Sequence, residues 1–250
     1  MGYSFILGGT KGLGLSLSLE SQKRGVEPII AGRSVDNYDV LRLFPPGLKR
    51  LAIDLNDPGT INNLWNIRDL DMSYVFWVAG IFERRSFVDT KFSEIDRMVN
   101  VHLNSPLKVL NRLHEFRFYP KPRPYHLVTI ASTSSFRLRD NESLYCGLKA
   151  AKAAFTRNFA KEVIRDCPGS KVTLVNPGGL KTPNFWGKTK QDISKFMEPD
   201  VVAKLIWDEV QKQDVSFKEI QILRKDDGNP KLEYGPRLPE TPLLIKNEAS

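Results

Sequence analysis

Seven short apolar runs, separated by longer stretches of helical periodicity, leave few architectures open to this chain. Residues 3–7, 28–33, 51–55, 74–79, 126–131, 172–175 and 219–223 all have strand length. Several are apolar almost throughout, as a strand covered on both faces must be. Between them the spacing changes. Leu13 and Leu17 share a helix face, as do Leu15 and Leu19, and Gly25 follows as a C-cap. Val99, Leu103, Leu107 and Leu110 form a second stripe, and Val202, Leu205, Ile206 and Val210 a third, opened by Pro199. Strand–helix alternation predicts a parallel, doubly wound α/β sheet with helices on both faces. Ligands of such sheets bind at the carboxyl ends of the strands.

The 250 residues suit one domain, residues 1–250, with a loop-like tail from Lys225 onward. The net charge of +8 is scattered, with no run of five or more Lys or Arg, so nucleic-acid binding is not expected. The longest apolar stretch, 74–82, is too short to span a bilayer, and no membrane association is expected. The first strand runs directly into glycines with no basic lead, unlike a signal peptide, and Ile6 stands where a myristoylation motif needs Ser or Thr. The two cysteines, Cys146 and Cys167, give no disulfide framework; a reduced, cytoplasmic setting is the simpler expectation.

After the first strand comes Gly8-Gly9-Thr10-Lys11-Gly12-Leu13-Gly14. A pyrophosphate fits such a turn: glycine permits the tight bend and close backbone approach, and a helix N-terminus offers free N–H groups. The end of the second strand bears on which dinucleotide. An NAD site wants an acid there for the ribose hydroxyls. This chain has Ala31-Gly32-Arg33-Ser34 instead, and Arg33 with Lys11 is suited to clamp a 2′-phosphate. NADP(H) is therefore expected over NAD(H), the alternative being that both cations are solvated surface charges. Asp54 and Leu55 end the third strand; Asp54 is also placed to cap the helix after it.

Tyr145-Cys146-Gly147-Leu148-Lys149 is a Y-x-x-x-K, which on a helix sets the lysine and tyrosine on one face. A free phenol titrates near ~10, and a neighbouring cation is expected to lower that value. Ser132 lies thirteen residues earlier, at the end of a strand, and Asn176-Pro177-Gly178-Gly179-Leu180-Lys181-Thr182 comes after the sixth strand. Glycine turn, serine, Y-x-x-x-K and Pro-Gly turn occur in this order over residues 3–223. In all four the chain resembles the short-chain dehydrogenase/reductase family.

That resemblance implies a Rossmann-like fold of about seven strands and an oxidoreductase transferring hydride between NADP(H) and a small carbonyl or alcohol. It implies Tyr145 as general acid–base, Lys149 as the group that tunes Tyr145 and holds the nicotinamide ribose, and Ser132 as a hydrogen-bond partner of the reacting oxygen. It further implies cofactor contacts from Gly8, Thr10, Lys11, Gly12, Leu13, Gly14, Arg33, Ser34, Asp54, Leu55, Ala79, Gly80, Tyr145, Lys149, Pro177, Gly178, Leu180 and Thr182.

Three departures stand out. The family's Asn-Ala-Gly is Val78-Ala79-Gly80 here, preceded by Trp77, so only Ala-Gly survives. The family's catalytic Asn is replaced by His102, with Asn100 two positions earlier; His102 is a candidate catalytic residue, since imidazole titrates near neutrality, or else a buried structural histidine. Residues 225–235 do not match the family's C-terminal strand, which favours a homodimer through two long helices, about 93–116 and 145–166, over a tetramer. Residues 183–197 occupy the family's lid position and offer Phe185, Trp186, Phe196 and Met197 as walls of an apolar pocket. Arg84, Arg85, Arg137 and Arg139 should rim the site, either drawing in an anionic substrate or lying solvated. Two further functions stay open: a catalytically weak dinucleotide-binding sensor or scaffold, and a nucleotide-sugar epimerase or dehydratase, for which 250 residues leave little room.

Overall fold

β1 (Tyr3–Leu7) is the strand at which the sheet changes direction. On one side lie β2 (Glu27–Gly32) and β3 (Lys49–Ala52). On the other lie β4 (Met72–Trp77), β5 (His126–Ile130), β6 (Lys171–Pro177) and β7 (Phe217–Arg224). All these pairings are parallel, and β8 (Pro230–Tyr234) closes the far edge antiparallel to β7. This computed structural model describes residues 2–137, 139–186 and 192–235.

The helices are α1 (Gly12–Lys23), α2 (Tyr38–Leu41), α3 (Phe92–Val99), α4 (Ser105–Phe118), α5 (Ser143–Asp166), α6 (Pro183–Trp186) and α7 (Pro199–Gln211). Successive strand residues face opposite sides of the sheet. Phe5, Leu7, Val75 and Trp77 therefore join one core with Leu110 and Leu113 of α4 and Val163 of α5. Ile6 and Phe76 join the other, with Leu17 of α1 and Ile206 and Trp207 of α7. Apolar side chains are thus needed on both strand faces, which explains the nearly continuous runs. Each fully buried Ile, Leu or Phe contributes about 1.5–3 kcal/mol.

The doubly wound class is as expected, with eight strands instead of about seven. The eighth corrects the expectation of a loop-like tail. A turn with Lys225 N donating to Asn229 O (2.9 Å) returns the chain, and Leu232 pairs with Ile222. The strand escapes a pattern search because it is an edge: proline opens it, lysine and glutamate alternate along it, and only one face packs. Residues 236–250 lie outside the described residues.

The long helix expected over 93–116 is broken. Residues Asn100–Asn104 form a π-turn between α3 and α4. Such turns add a residue to the helical repeat and often sit at functional sites. This one carries His102. Among the described residues no helix is long and apolar enough to cross a membrane.

Candidate active site

The site grows from the point where β1 and β4 separate. Val78 N and Ala79 N donate to Leu7 O at 3.0 and 2.9 Å, and the chain at Gly8 then turns away with φ +93°. A Cβ on Gly8 would stand 2.8 Å from Ala79 N, and one on Gly14 would stand 2.0 Å from Gly8 O. The turn closes only with glycine at both positions. It delivers the chain into α1, whose first-turn N–H groups the Lys11 side chain does not cap. This cradle fits a pyrophosphate, whose charge the free donors and helix dipole would stabilise. Thr182 lies across from it, its Cγ2 2.8 Å from where a Gly12 Cβ would stand.

Lys11 and Arg33 are exposed at the same strand ends and form no hydrogen bond or ion pair with other described residues. Ser34 is half-buried beside them, and Thr10 is buried with its hydroxyl near Gly32. Asp54 Oδ1 accepts from Asn56 N at 3.0 Å, and its backbone is pinned by Thr60, so part of its capacity is spent on the local turn. Leu55 O accepts from the Ser105 hydroxyl at 2.6 Å.

Ser132 follows β5 and caps the short turn Thr133–Ser135; it is 9% exposed, and its hydroxyl accepts from Ser134 N at 3.1 Å. Tyr145 and Lys149 are one turn apart on α5 and only 6% and 4% exposed. Lys149 Nζ lies 5.6 Å from the Tyr145 ring centroid and donates to Ile130 O at 3.4 Å. Serine, tyrosine and lysine therefore meet, as expected from the motif order. The pKa of the phenol moves against expectation. Burial pushes Tyr145 well up, and a hydrogen bond with Ser132 opposes that only in part. Burial also brings the Lys149 ammonium down to about 8. The reason is enclosure: Phe82 packs edge-on against Tyr145 at 4.9 Å, with Phe185 at 6.2 Å.

His102 is fully buried and joins this group, its ring 5.7 Å from that of Tyr145. Its Nε2 contacts both Ile81 O (2.7 Å) and Ile81 N (3.1 Å), while Nδ1 has no partner among the described residues. Burial first, then Lys149, holds its pKa well below the usual value, so it is neutral. Ala79 and Gly80 run past it: a Cβ on Gly80 would be 3.0 Å from His102 Cε1 and 3.6 Å from Lys149 Nζ.

The Pro177–Gly178 turn is anchored by Gly178 N donating to Ile222 O at 2.9 Å. Leu180 bridges to Met197, and its carbonyl accepts from Thr182 N and from Trp186 Nε1 at 2.8 Å each. Of the four apolar lid residues, Phe185 stacks on Phe82, Trp186 meets Phe82 edge-on, Phe196 lies against Gly179, and Met197 is core. Residues 187–191 of that segment, and Leu138 between the rim arginines, lie outside the described residues.

A narrow cleft, open to solvent, reaches Tyr145 past Glu83, Arg85, Met98, Glu94 and Glu142. Its charges are mixed. Arg85 pairs with Glu94 at 2.8 Å, Arg97 pairs with Glu83, and Arg84 and Arg139 both act on Glu142. A purely cationic rim is therefore absent among the described residues. Sequence reasoning misses Phe82, Glu142 and Lys152. Phe82 and Glu142 belong to no motif, but Lys152 continues the helical spacing of Tyr145 and Lys149 and is legible in principle.

The sequence pattern described as short chain dehydrogenase matches residues 3–193, and the chain belongs to that oxidoreductase family. An uncharacterised oxidoreductase of Staphylococcus aureus is 22% identical over 222 residues, covering 87% of this chain and 94% of that protein. A short-chain dehydrogenase/reductase from Vibrio parahaemolyticus superposes with a TM-score of 0.76 at 24% identity, covering 89% of this chain and 99% of that one. A short-chain dehydrogenase from Sphingobium yanoikuyae, solved in complex with NADPH, superposes with a TM-score of 0.76 at 19% identity, covering 87% of each chain.

Proposed function

We propose that the chain, residues 1–250, is one NADP(H)-dependent oxidoreductase domain acting on a small carbonyl or alcohol. The observation that carries this reading is the convergence of Ser132, Tyr145 and Lys149 beside Gly80, whose neighbour Ala79 packs against the glycine turn that fits a pyrophosphate. Gly8, Thr10, Gly12, Leu13 and Gly14 would hold the pyrophosphate side. Lys11, Arg33 and Ser34 would hold the 2′-phosphate, Asp54 and Leu55 would border the adenine, and Ala79, Gly80, Lys149, Pro177, Gly178, Leu180 and Thr182 would line the nicotinamide half. Bound there, the cofactor supplies the hydride. Tyr145 holds the proton given to the carbonyl oxygen, Ser132 donates a hydrogen bond to that oxygen, and Lys149 keeps a positive charge beside both. The raised phenol pKa suits proton donation in carbonyl reduction.

Support for NADP comes from Arg33-Ser34 standing directly after β2 in place of an acid, from Lys11 and Arg33 having no partner among the described residues, and from the NADPH complex of the Sphingobium relative. A cytoplasmic homodimer packing through α4 and α5 is the assembly we propose, on the half-buried Leu107 and Phe155 of those helices. The experiment is NADPH consumption against a panel of aldehydes and ketones, wild type beside Tyr145→Phe. Turnover lost in the variant supports the reading. A second reading, a dinucleotide-binding sensor with weak turnover, is favoured by the closure of Phe82 and Phe185 over Tyr145; NADPH binding without turnover on any carbonyl would select it.

A further inference from the structure

Lys152 is the one fully buried lysine of the described residues, and the reaction proposed above leaves it unused. It lies one turn beyond Lys149 on α5. Its Nζ is 3.1 Å from Trp77 O, 3.4 Å from Ala79 O and 4.2 Å from the centroid of the Trp77 ring. Two carbonyls and an indole face surround it, and a lysine nitrogen carries N–H donors enough for both carbonyls. No carboxylate among the described residues bonds to it. Burial, with the Lys149 charge, pushes its pKa down. The amine is therefore kept in the core against a desolvation cost that a methionine would not carry.

Its surroundings share that character. Among the described residues Trp77 Nε1 and Thr129 Oγ1, on residues paired across β4 and β5, have no partner, and neither does His102 Nδ1. Buried polar atoms are nearly always satisfied in a native core, so three exceptions in one neighbourhood mark a place shaped by something besides stability. The two carbonyls that Lys152 holds flank Val78 and lead directly into Gly80. Gly80 in turn is packed against His102 and Lys149.

We propose that Lys152 is a positioning residue: it clamps the carbonyl end of β4 and so fixes Gly80 and Lys149 for the nicotinamide half of the dinucleotide. The inference rests on the dinucleotide reading above and adds a residue to it. The clamp acts at one end of the cofactor only. The adenine-side groups, Lys11 and Arg33, sit on the strand ends across β1 and do not depend on it.

The test compares wild type, Lys152→Met and Lys152→Gln by calorimetric titration with NADPH and with 2′,5′-ADP, which lacks the nicotinamide half. Melting temperatures are measured alongside. The clamp predicts that Lys152→Met binds NADPH at least ten-fold more weakly, binds 2′,5′-ADP as wild type does, and melts no lower than wild type. Lys152→Gln, whose amide can still donate to both carbonyls, should recover most of the NADPH affinity. Unchanged NADPH binding in Lys152→Met would overturn the proposal. So would equal weakening of both ligands with a lower melting temperature, which is the signature of a merely structural lysine. If Lys152→Met does not fold, Lys152→Gln decides alone: near-wild-type NADPH affinity supports the clamp, and a ten-fold loss contradicts it. Failure of wild type to bind either ligand would instead overturn the dinucleotide reading, and this inference with it.

Discussion

His102 Nε2 is held between the carbonyl oxygen and the amide nitrogen of Ile81, at 2.7 and 3.1 Å, and its Nδ1 meets no partner among the described residues. A neutral ring serves this geometry, and the pKa is held well below the usual value by burial, then by Lys149. His102 thereby fixes the residue next to Gly80. We expect His102→Ala to lower turnover far less than Tyr145→Phe, for which general acid–base chemistry sets a loss of ~10²–10⁴. The stability of His102→Ala should fall by about 1–3 kcal/mol, the cost of leaving a buried backbone group unpaired. Steady-state kinetics and urea unfolding on both variants check this. Equal kinetic losses would show that His102 takes part in the proton transfer.

Buried neutral histidines also set an acid limit on stability. His126 is buried, with Nε2 2.7 Å from Thr173 Oγ1, and burial first, then Lys171, brings its pKa down to about 3. His102 is lowered in the same direction. Both imidazoles have depressed folded values, so the unfolded chain binds their protons first. Their contribution is complete above the unfolded value of ~6.5 and is lost as pH falls below it, at up to about 1.4 kcal/mol per pH unit for each ring. Urea unfolding between pH 7.5 and 4.5 should show that slope, and His126→Asn should reduce it by about half. A slope unchanged in the variant would remove His126 from this account.

Lys149 sets a limit on the other side. Its ammonium, brought down to about 8 by burial, is charged below that pH and neutral above it. The Tyr145 phenol, pushed up by burial, stays protonated throughout. For carbonyl reduction kcat/KM should therefore be flat near neutrality and fall as pH rises through about 8, and alcohol oxidation at pH 7 should be the slower direction. Replacing Lys149 with Met should lower kcat/KM and remove the falling limb. A limb that survives in Lys149→Met belongs to another group.

The lid offers a different kind of test. Phe82 stacks with Phe185 at 5.7 Å and meets Trp186 at 4.9 Å, and together they shield Tyr145 from water. Trp186→Ala should raise the accessibility of Tyr145 and relax discrimination between bulky and small carbonyls, changing KM for bulky ones by about ten-fold, the scale of one or two methylenes in an apolar pocket. KM measured across a size series of aldehydes checks this. An unchanged size preference would place the substrate elsewhere in the cleft.

Much of this architecture is legible because strands buried on both faces must be apolar throughout. That constraint makes β1, β2, β5 and β6 stand out from the sequence. The glycine turn and Y-x-x-x-K are legible for a similar reason: Gly8, Gly14, Tyr145 and Lys149 answer to local geometry and to helical spacing. β8 is not, since an exposed edge imposes no apolar pattern on Lys231 or Glu233. Neither is the π-turn, because the extra residue it inserts leaves the stripe Val99, Leu103, Leu107 intact while turning His102 inward. The direction of the Tyr145 shift escapes a sequence reading for a tertiary reason: Phe82, about sixty residues away in sequence, closes over the phenol and makes burial outweigh the lysine charge.

A preference of the proposed dinucleotide site for NADPH is read from a fluorescence titration of NADPH and NADH on wild type and Arg33→Ala. Charge-assisted contacts to a 2′-phosphate contribute about 1.5–3 kcal/mol, so NADPH should bind at least ten-fold more tightly than NADH, and Arg33→Ala should erase most of that difference while leaving NADH unchanged. Equal affinity for the two nucleotides, unaltered in Arg33→Ala, would contradict the NADP preference. No binding of either would contradict the oxidoreductase reading itself.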